Sequence, residues 1–326
     1  MRWSAAGFLL FLGAISAAAQ APPAFSCRPT LAPRGGGPQV ADTAFDPPLP
    51  HPAFPRDKGP LVFLDEGHFN FHTLAGRYAP FARLLRRDGF VLRPLKAPWT
   101  EAALAPAKVL VVANAIAERN ARGDWSLPTP SAFTEKEIEA IRDWVAGGGA
   151  LFLIADHMPF PGANAALAEA FGIRFNNGFA TDSTCDAAEF VFRRADGSLA
   201  DDPVTMGRQR LEQIDSVRTF TGQAFRVGGD ARPLLKLAKG AVVLMPVKAW
   251  EFSDSTPRLP ADGMLQGAVL VHGKGRVAVF GEAAMFSAQV SGAQRRQMGM
   301  NAPAAVQNPQ FLLNVMHWLV GMLEKH

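Results

Sequence analysis

Four continuous apolar runs constrain this chain more than any other feature: Leu61-Val62-Phe63-Leu64, Val109-Leu110-Val111-Val112, Ala150-Leu151-Phe152-Leu153-Ile154 and Val277-Ala278-Val279-Phe280. Each is short for a helix and lacks the apolar–polar alternation of a strand with one wet face. Runs of this kind read as strands buried on both faces, the pattern of a parallel sheet. Such a sheet needs helices above and below it. They are legible between the runs. Residues 73–87 carry Leu74, Tyr78, Phe81, Leu84 and Leu85 at helical spacing, and Asp88-Gly89 stops them. Thr134 and Glu137 form a capping box ahead of Ile138, Ile141, Trp144 and Val145, and Gly147-Gly148-Gly149 ends that helix. Residues 163–171 read as a short helix. Asn308 reads as the cap of a last helix, with Pro309 at its first position and an apolar face that includes Phe311, Leu312, Val315 and Leu319.

The expected fold is therefore α/β: a doubly wound, mostly parallel sheet. Residues 90–95, 242–246 and 264–272 read as further strands. Residues 173–240 break the rhythm with turn residues, charges and short Phe-rich segments, so a β-rich insertion is expected there. Residues 283–307 read as a long polar loop, and loops of that length are usually functional or mobile.

Composition agrees with a packed core. Of 326 residues 48% are hydrophobic and 19% charged, with a mean hydropathy of +0.05, which excludes intrinsic disorder of the whole chain. The 30 Gly and 26 Pro have no period, which excludes a collagen-like array. The net charge of +4 is scattered, so nucleic acid is not an expected partner. Arg2 precedes an apolar run over 5–15, and Ala17-Ala18-Ala19 follows. This is the form of a secretory signal over 1–19, too short to span a bilayer. No later stretch reaches the roughly 18 apolar residues of a transmembrane segment. The expected location is periplasmic or secreted. A Pro/Gly-rich arm over 20–58 then leads into an α/β domain over 59–326. Cys27 and Cys185 are the two cysteines. One disulfide, two inert thiols and a nucleophilic Cys185 all remain open.

In open α/β sheets ligands bind beyond the carboxyl ends of the strands. Three apolar runs end there in ionisable groups: Asp65-Glu66-Gly67-His68-Phe69-Asn70-Phe71-His72, Asp156-His157 and Glu282. If the strands are parallel, all three clusters reach one edge and share a pocket. His157, Asp156, Glu66 and Glu282 are the expected catalytic groups, with His157 as base and Asp156 or Glu66 orienting it. His68, Asn70, Asn114 and Asn301 are the expected ligand-binding groups. His72 is a weaker candidate of the same edge. These residue types also suit a divalent ion, but His-Glu-x-x-His is lacking and no metal is assigned. No Gly-x-Ser-x-Gly, Walker or Gly-x-Gly-x-x-Gly motif supports a serine hydrolase or a nucleotide cofactor, and the cofactor is left unknown.

Several of these segments resemble a family. The run from Asp65 to Thr73, Phe81-Ala82-Arg83-Leu84-Leu85 and Asp88-Gly89-Phe90 are similar to the opening of an uncharacterised bacterial family of the class I glutamine amidotransferase-like superfamily. The stretches 147–157, Val279-Phe280-Gly281-Glu282-Ala283-Ala284-Met285-Phe286 and 308–318 extend the likeness over about 60–320. The resemblance implies a flavodoxin-like sheet whose fourth run leads to the superfamily's nucleophile elbow. Here Asp156-His157 stands at that elbow and no cysteine is near, so glutaminase chemistry is not implied. The chain is similar in this to the trehalose-utilisation family, which implies a carbohydrate ligand by fold-level analogy. The expected function is hydrolysis or proton transfer on a small polar or carbohydrate-derived molecule. The alternative is a non-catalytic ligand- or protein-binding envelope module. Homo-oligomerisation stays open.

Overall fold

The computed structural model describes Met1 and residues 39–323. The signal segment, most of the arm and Cys27 lie outside the described residues. Five parallel strands form the centre: Leu61–Asp65, Val91–Leu95, Val109–Ala113, Ala150–Ile154 and Gly275–Phe280. Numbered in chain order, they lie 2-1-3-4-5 across the sheet, an order shared by flavodoxin-like sheets. Leu265–His272 adds antiparallel to the last of them. Phe225–Val227, Ile173–Phe175 and Arg232–Lys236 continue beyond it. Part of the stretch 173–240 thus widens the main sheet. The rest pairs in small sheets, Phe179–Thr181 with Val242–Leu244 and Val191–Arg193 with Ser216–Arg218.

Alternate residues of the buried runs face opposite layers, as strand geometry requires. Val62, Leu64, Val111, Phe152 and Phe280 meet the helices Ala79–Arg87 and Asn308–Leu319 on one face. Phe63, Leu110, Leu151, Leu153 and Val279 meet Glu135–Ala146 and Phe160–Glu169 on the other. Each such side chain contributes about 1.5–3 kcal/mol by leaving water. Thr134 and Glu137 make the expected capping box.

Three expectations about elements are corrected. The first helix starts at Ala79, not 73, because Pro80 needs no amide partner in a first turn, and Thr73 accepts from Gly76 and Tyr78 in the turns before it. The long loop 283–307 is structured. Ala288–Ser291 and Arg296–Gly299 form a hairpin, and Gln39–Ala41 of the arm adds a third strand. The alternation of Gln289 and Ser291 with Ala288 and Val290 is a strand pattern that its polar composition conceals. Asn308 is no cap: it sits in the helix, and its side chain accepts from the Arg218 amide and donates to the Arg218 and Met285 carbonyls. Beyond its strand, the described arm lies along the first helix. Arg83 donates to the Thr43 and Phe45 carbonyls, and Phe45, Leu49 and Phe54 pack on the core.

Candidate functional site

The third, fourth and fifth parallel strands end side by side, and a residue one or two positions past each carries the chemistry. Asn114 follows the third at φ +60°, a left-handed backbone that Asn tolerates better than most residues. Its Oδ1 accepts from the Asp156 amide at 2.9 Å. Asp156 and His157 leave the fourth strand, and the Asp156 carboxylate accepts from the His157 amide at 2.8 Å. Glu282 leaves the fifth strand. It accepts from the amides of Ala284 and Met285 at 2.7 and 2.8 Å, heading the short 3-10 turn there. All four residues line one cavity of about 270 Å³. Aromatic walls come from Phe71, Trp125, Phe160 and Trp250. The hairpin and the arm close the remaining side with Gln289, Ser291, Met298 and Gln39.

Burial decides the charge states. Burial pushes the Asp156 carboxyl up to about 7. The hydrogen bonds from His157, Ala283 and Asn114 only partly offset this. Glu282 is raised well above the usual carboxylate range, first by burial and then by the charge of Asp156. Two buried carboxyls in this arrangement do not both ionise near neutral pH. Tyr78 donates to the Ala283 carbonyl at 2.9 Å, and burial together with the nearby Glu282 and Asp156 keeps it un-ionised. Burial also pushes His157 down to about 4 and His72 down to about 3, so both rings are neutral at pH 7. His157 stacks on Phe179 at 4.5 Å between centroids, with Trp250 edge-on at 4.7 Å. Its Nδ1 lies 2.7 Å from the Met158 carbonyl, an acceptor, so Nδ1 carries the hydrogen and Nε2 the lone pair.

The structure thus brings together Asn114, Asp156, His157 and Glu282, with His72 beside them. It places the other expected residues elsewhere. Glu66 accepts from the Leu74 amide at 2.9 Å and does not reach the cavity. His68 lies 3.0 Å from both Asp65 and Glu137, packed against Trp99 and Phe133. Asn70 donates to Asp65 and accepts from the Ala113 amide. Asn301 donates to Asp42 and to the Gln289 carbonyl. The physical reason is the path of 65–72. It turns through a positive φ at Phe69 and spends its polar groups on the strand ends, so only Phe71 and His72 arrive at the cavity. The expected orienting partner is also corrected, because the Met158 carbonyl rather than Asp156 or Glu66 holds the His157 ring. Cys185 is buried and disulfide-bonded, which removes the nucleophile alternative. Among the described residues no group of three or more His, Cys, Asp or Glu is placed to hold a metal ion, and no helix is long and apolar enough to cross a membrane. Sequence reasoning missed Trp125 and Trp250, which come from turn-rich segments with no periodicity. It also missed Gln289, whose signal was the masked strand alternation.

No family model matches the chain, and no curated protein matches it. Solved structures do. The mmIFT52 N-terminal domain superposes with a TM-score of 0.55 at 16% identity, covering 81% of this chain and 99% of that one. A putative ThuA-like protein from Bacteroides uniformis gives a TM-score of 0.47 at 12% identity, covering 82% of this chain and 94% of its own. Another from Parabacteroides merdae gives 0.43 at 12% identity, covering 82% and 93%. The first likeness is one of fold alone. The fold is a mixed α/β one with a central parallel sheet and flanking antiparallel strands.

Proposed function

We propose that the cavity is an acid–base centre acting on a small polar, carbohydrate-like molecule, on a flavodoxin-like sheet of the amidotransferase-like kind. The observation that carries this reading is Asp156. A carboxyl raised to about 7 is matched to proton transfer at neutral pH, where acid and base forms are both populated. Glu282 supports it as the second member of a pair that takes up or releases one proton. The role expected of His157 moves accordingly. At about 4 it is a weak base, and its Nε2 lone pair serves as a neutral acceptor for a ligand hydroxyl. The reaction class is proton transfer to or from the bound molecule, or hydrolysis assisted by it.

The cavity volume lies near the lower end of the range for ligand pockets, about 300–1,000 Å³, so the ligand is small. Flat aromatic faces of Trp125 and Trp250 suit the C–H faces of a sugar ring, while Asp156, Asn114 and His157 suit its hydroxyls. Titrating tryptophan fluorescence with neutral, acidic and amino monosaccharides tests this. Saturable quenching that Asp156→Asn weakens at least tenfold is expected. A panel with no quenching and no thermal shift would sink the ligand class. Binding without turnover in wild type, unaltered by Asp156→Asn, would favour a non-catalytic module. We place the chain outside the cytoplasm on the leader-like residues 1–19 and the disulfide-bonded Cys185. The N-terminal sequence of periplasmic or secreted material would check it. An N-terminus at Met1 on cytoplasmic protein would reject it.

A further inference from the structure

Asp65, His68 and Glu137 form a cluster that the cavity does not use. His68 presents Nδ1 to Asp65 and Nε2 to Glu137, each at 3.0 Å, with its side chain 10% exposed. A neutral imidazole has one N–H and one lone pair, so one of these contacts would set a lone pair against a carboxylate oxygen. The remaining contacts of both acids bring hydrogen-bond donors to them, which favours their carboxylate forms. Asp65 receives Gly67 N, Asn70 Nδ2 and Trp99 Nε1. Glu137 receives Thr134 N, Thr134 Oγ1 and Trp99 N. Two carboxylates facing both ring nitrogens require an imidazolium.

We propose that His68 is a positioning residue: a standing imidazolium that clamps the 65–72 segment between the first strand and the Glu135–Ala146 helix, and whose deprotonation at higher pH loosens the cavity wall formed by Phe71 and His72. The connection is covalent and short. The same segment hangs on the third strand through Phe71 N to Asn114 O and His72 N to Ala113 O, and Ile116 N bonds to the His68 carbonyl. Slackening at His68 therefore reaches Asn114 as well as Phe71. Asp65 from the strand and Glu137 from the helix are the charged groups that face the ring. Trp99 and Phe133 face it with uncharged rings. Burial alone would lower the His68 value, but the hydrogen bonds and charges of Asp65 and Glu137 outweigh it and hold it above 6.5. With a raised folded value, the clamp stabilises fully below about 6.5 and is lost as pH rises through the raised value.

Nitrogen-15 NMR of histidine-labelled protein reads this without ligand or turnover, so it stands or falls apart from the acid–base reading of Asp156. At pH 6.5 His68 should show both ring nitrogens protonated. His72, itself neutral down to about 3, should shift its ring signals with the His68 midpoint. Amides of 66–74 should exchange several-fold faster above that midpoint after correction for intrinsic rates. Repeating the titration in Asp156→Asn removes the cavity carboxyl raised to about 7. Glu137→Gln should lower the His68 midpoint by about one unit or more. A singly protonated His68 at pH 6 overturns the proposal, and wild type suffices for that outcome if the Gln variant fails to fold. His72 signals and exchange rates indifferent to the His68 midpoint would leave His68 a static strut and overturn the clamp.

Discussion

Asp156 answers to two opposed demands. Its amide is tied to the Asn114 side chain, and its own carboxyl is buried at the cavity wall. The carboxyl yields by holding its proton. Its folded value near 7 exceeds the unfolded value of about 3.8, so its contribution is full below about 4 and is lost as pH rises through 7. In thermal unfolding from pH 4 to 8, the Tm of wild type relative to Asp156→Asn should fall across that window. His157 works in the other direction. Its folded value of about 4 is depressed, so its contribution is present above about 6.5 and is lost as pH falls through 4. His157→Phe, which keeps the stacking on Phe179, should flatten the acid limb. An acid limb unchanged in that variant would show that another group carries it. Glu282→Gln offers one carbonyl oxygen where the carboxylate bonds two amides, so it should destabilise by about 1–3 kcal/mol in urea unfolding. The Asp156 midpoint, read by carboxyl carbon-13 NMR, should stay near 7 in that variant, because burial and not Glu282 raises it.

At the scale of elements the cavity depends on close backbone approach and on a borrowed wall. Gly222 is one such approach. A Cβ there would stand 2.2 Å from the Gly281 carbonyl and 3.0 Å from the Glu282 Cβ. Gly222→Ala should therefore push the strand end bearing Glu282 away from Phe220, at a stability loss of about 1–3 kcal/mol measured by denaturant unfolding. The wall is the hairpin, whose outer edge is paired by Gln39–Ala41. Deleting residues 39–41 should leave the main sheet folded and raise hydrogen exchange in 288–291. Unchanged protection there would mean that the hairpin holds without the arm.

For the whole molecule, the sheet core sets global stability while the site sits at its rim. Phe152 is fully buried between Phe81, Phe280 and Phe286. Phe152→Ala should cost about 3–5 kcal/mol in unfolding free energy without moving a strand end.

The sequence alone determined the sheet. Four apolar runs, a capping box and glycine stops are local signals, and burial on both faces leaves a strand no freedom to be polar. It also determined that Asp156, His157 and Glu282 stand where strands stop, since a side chain just past a buried run has nowhere else to go. The tertiary structure decided the rest. Glu66, His68 and Asn70 share the same short segment with His72, yet only His72 lines the cavity, because the turn at Phe69 and the pull of Asp65, Glu137 and the Ala113 amide sort them. Charge states, ring tautomers and the aromatic walls come from contacts between residues far apart in the chain. Those contacts are set by desolvation and packing, which no run of neighbouring residues encodes.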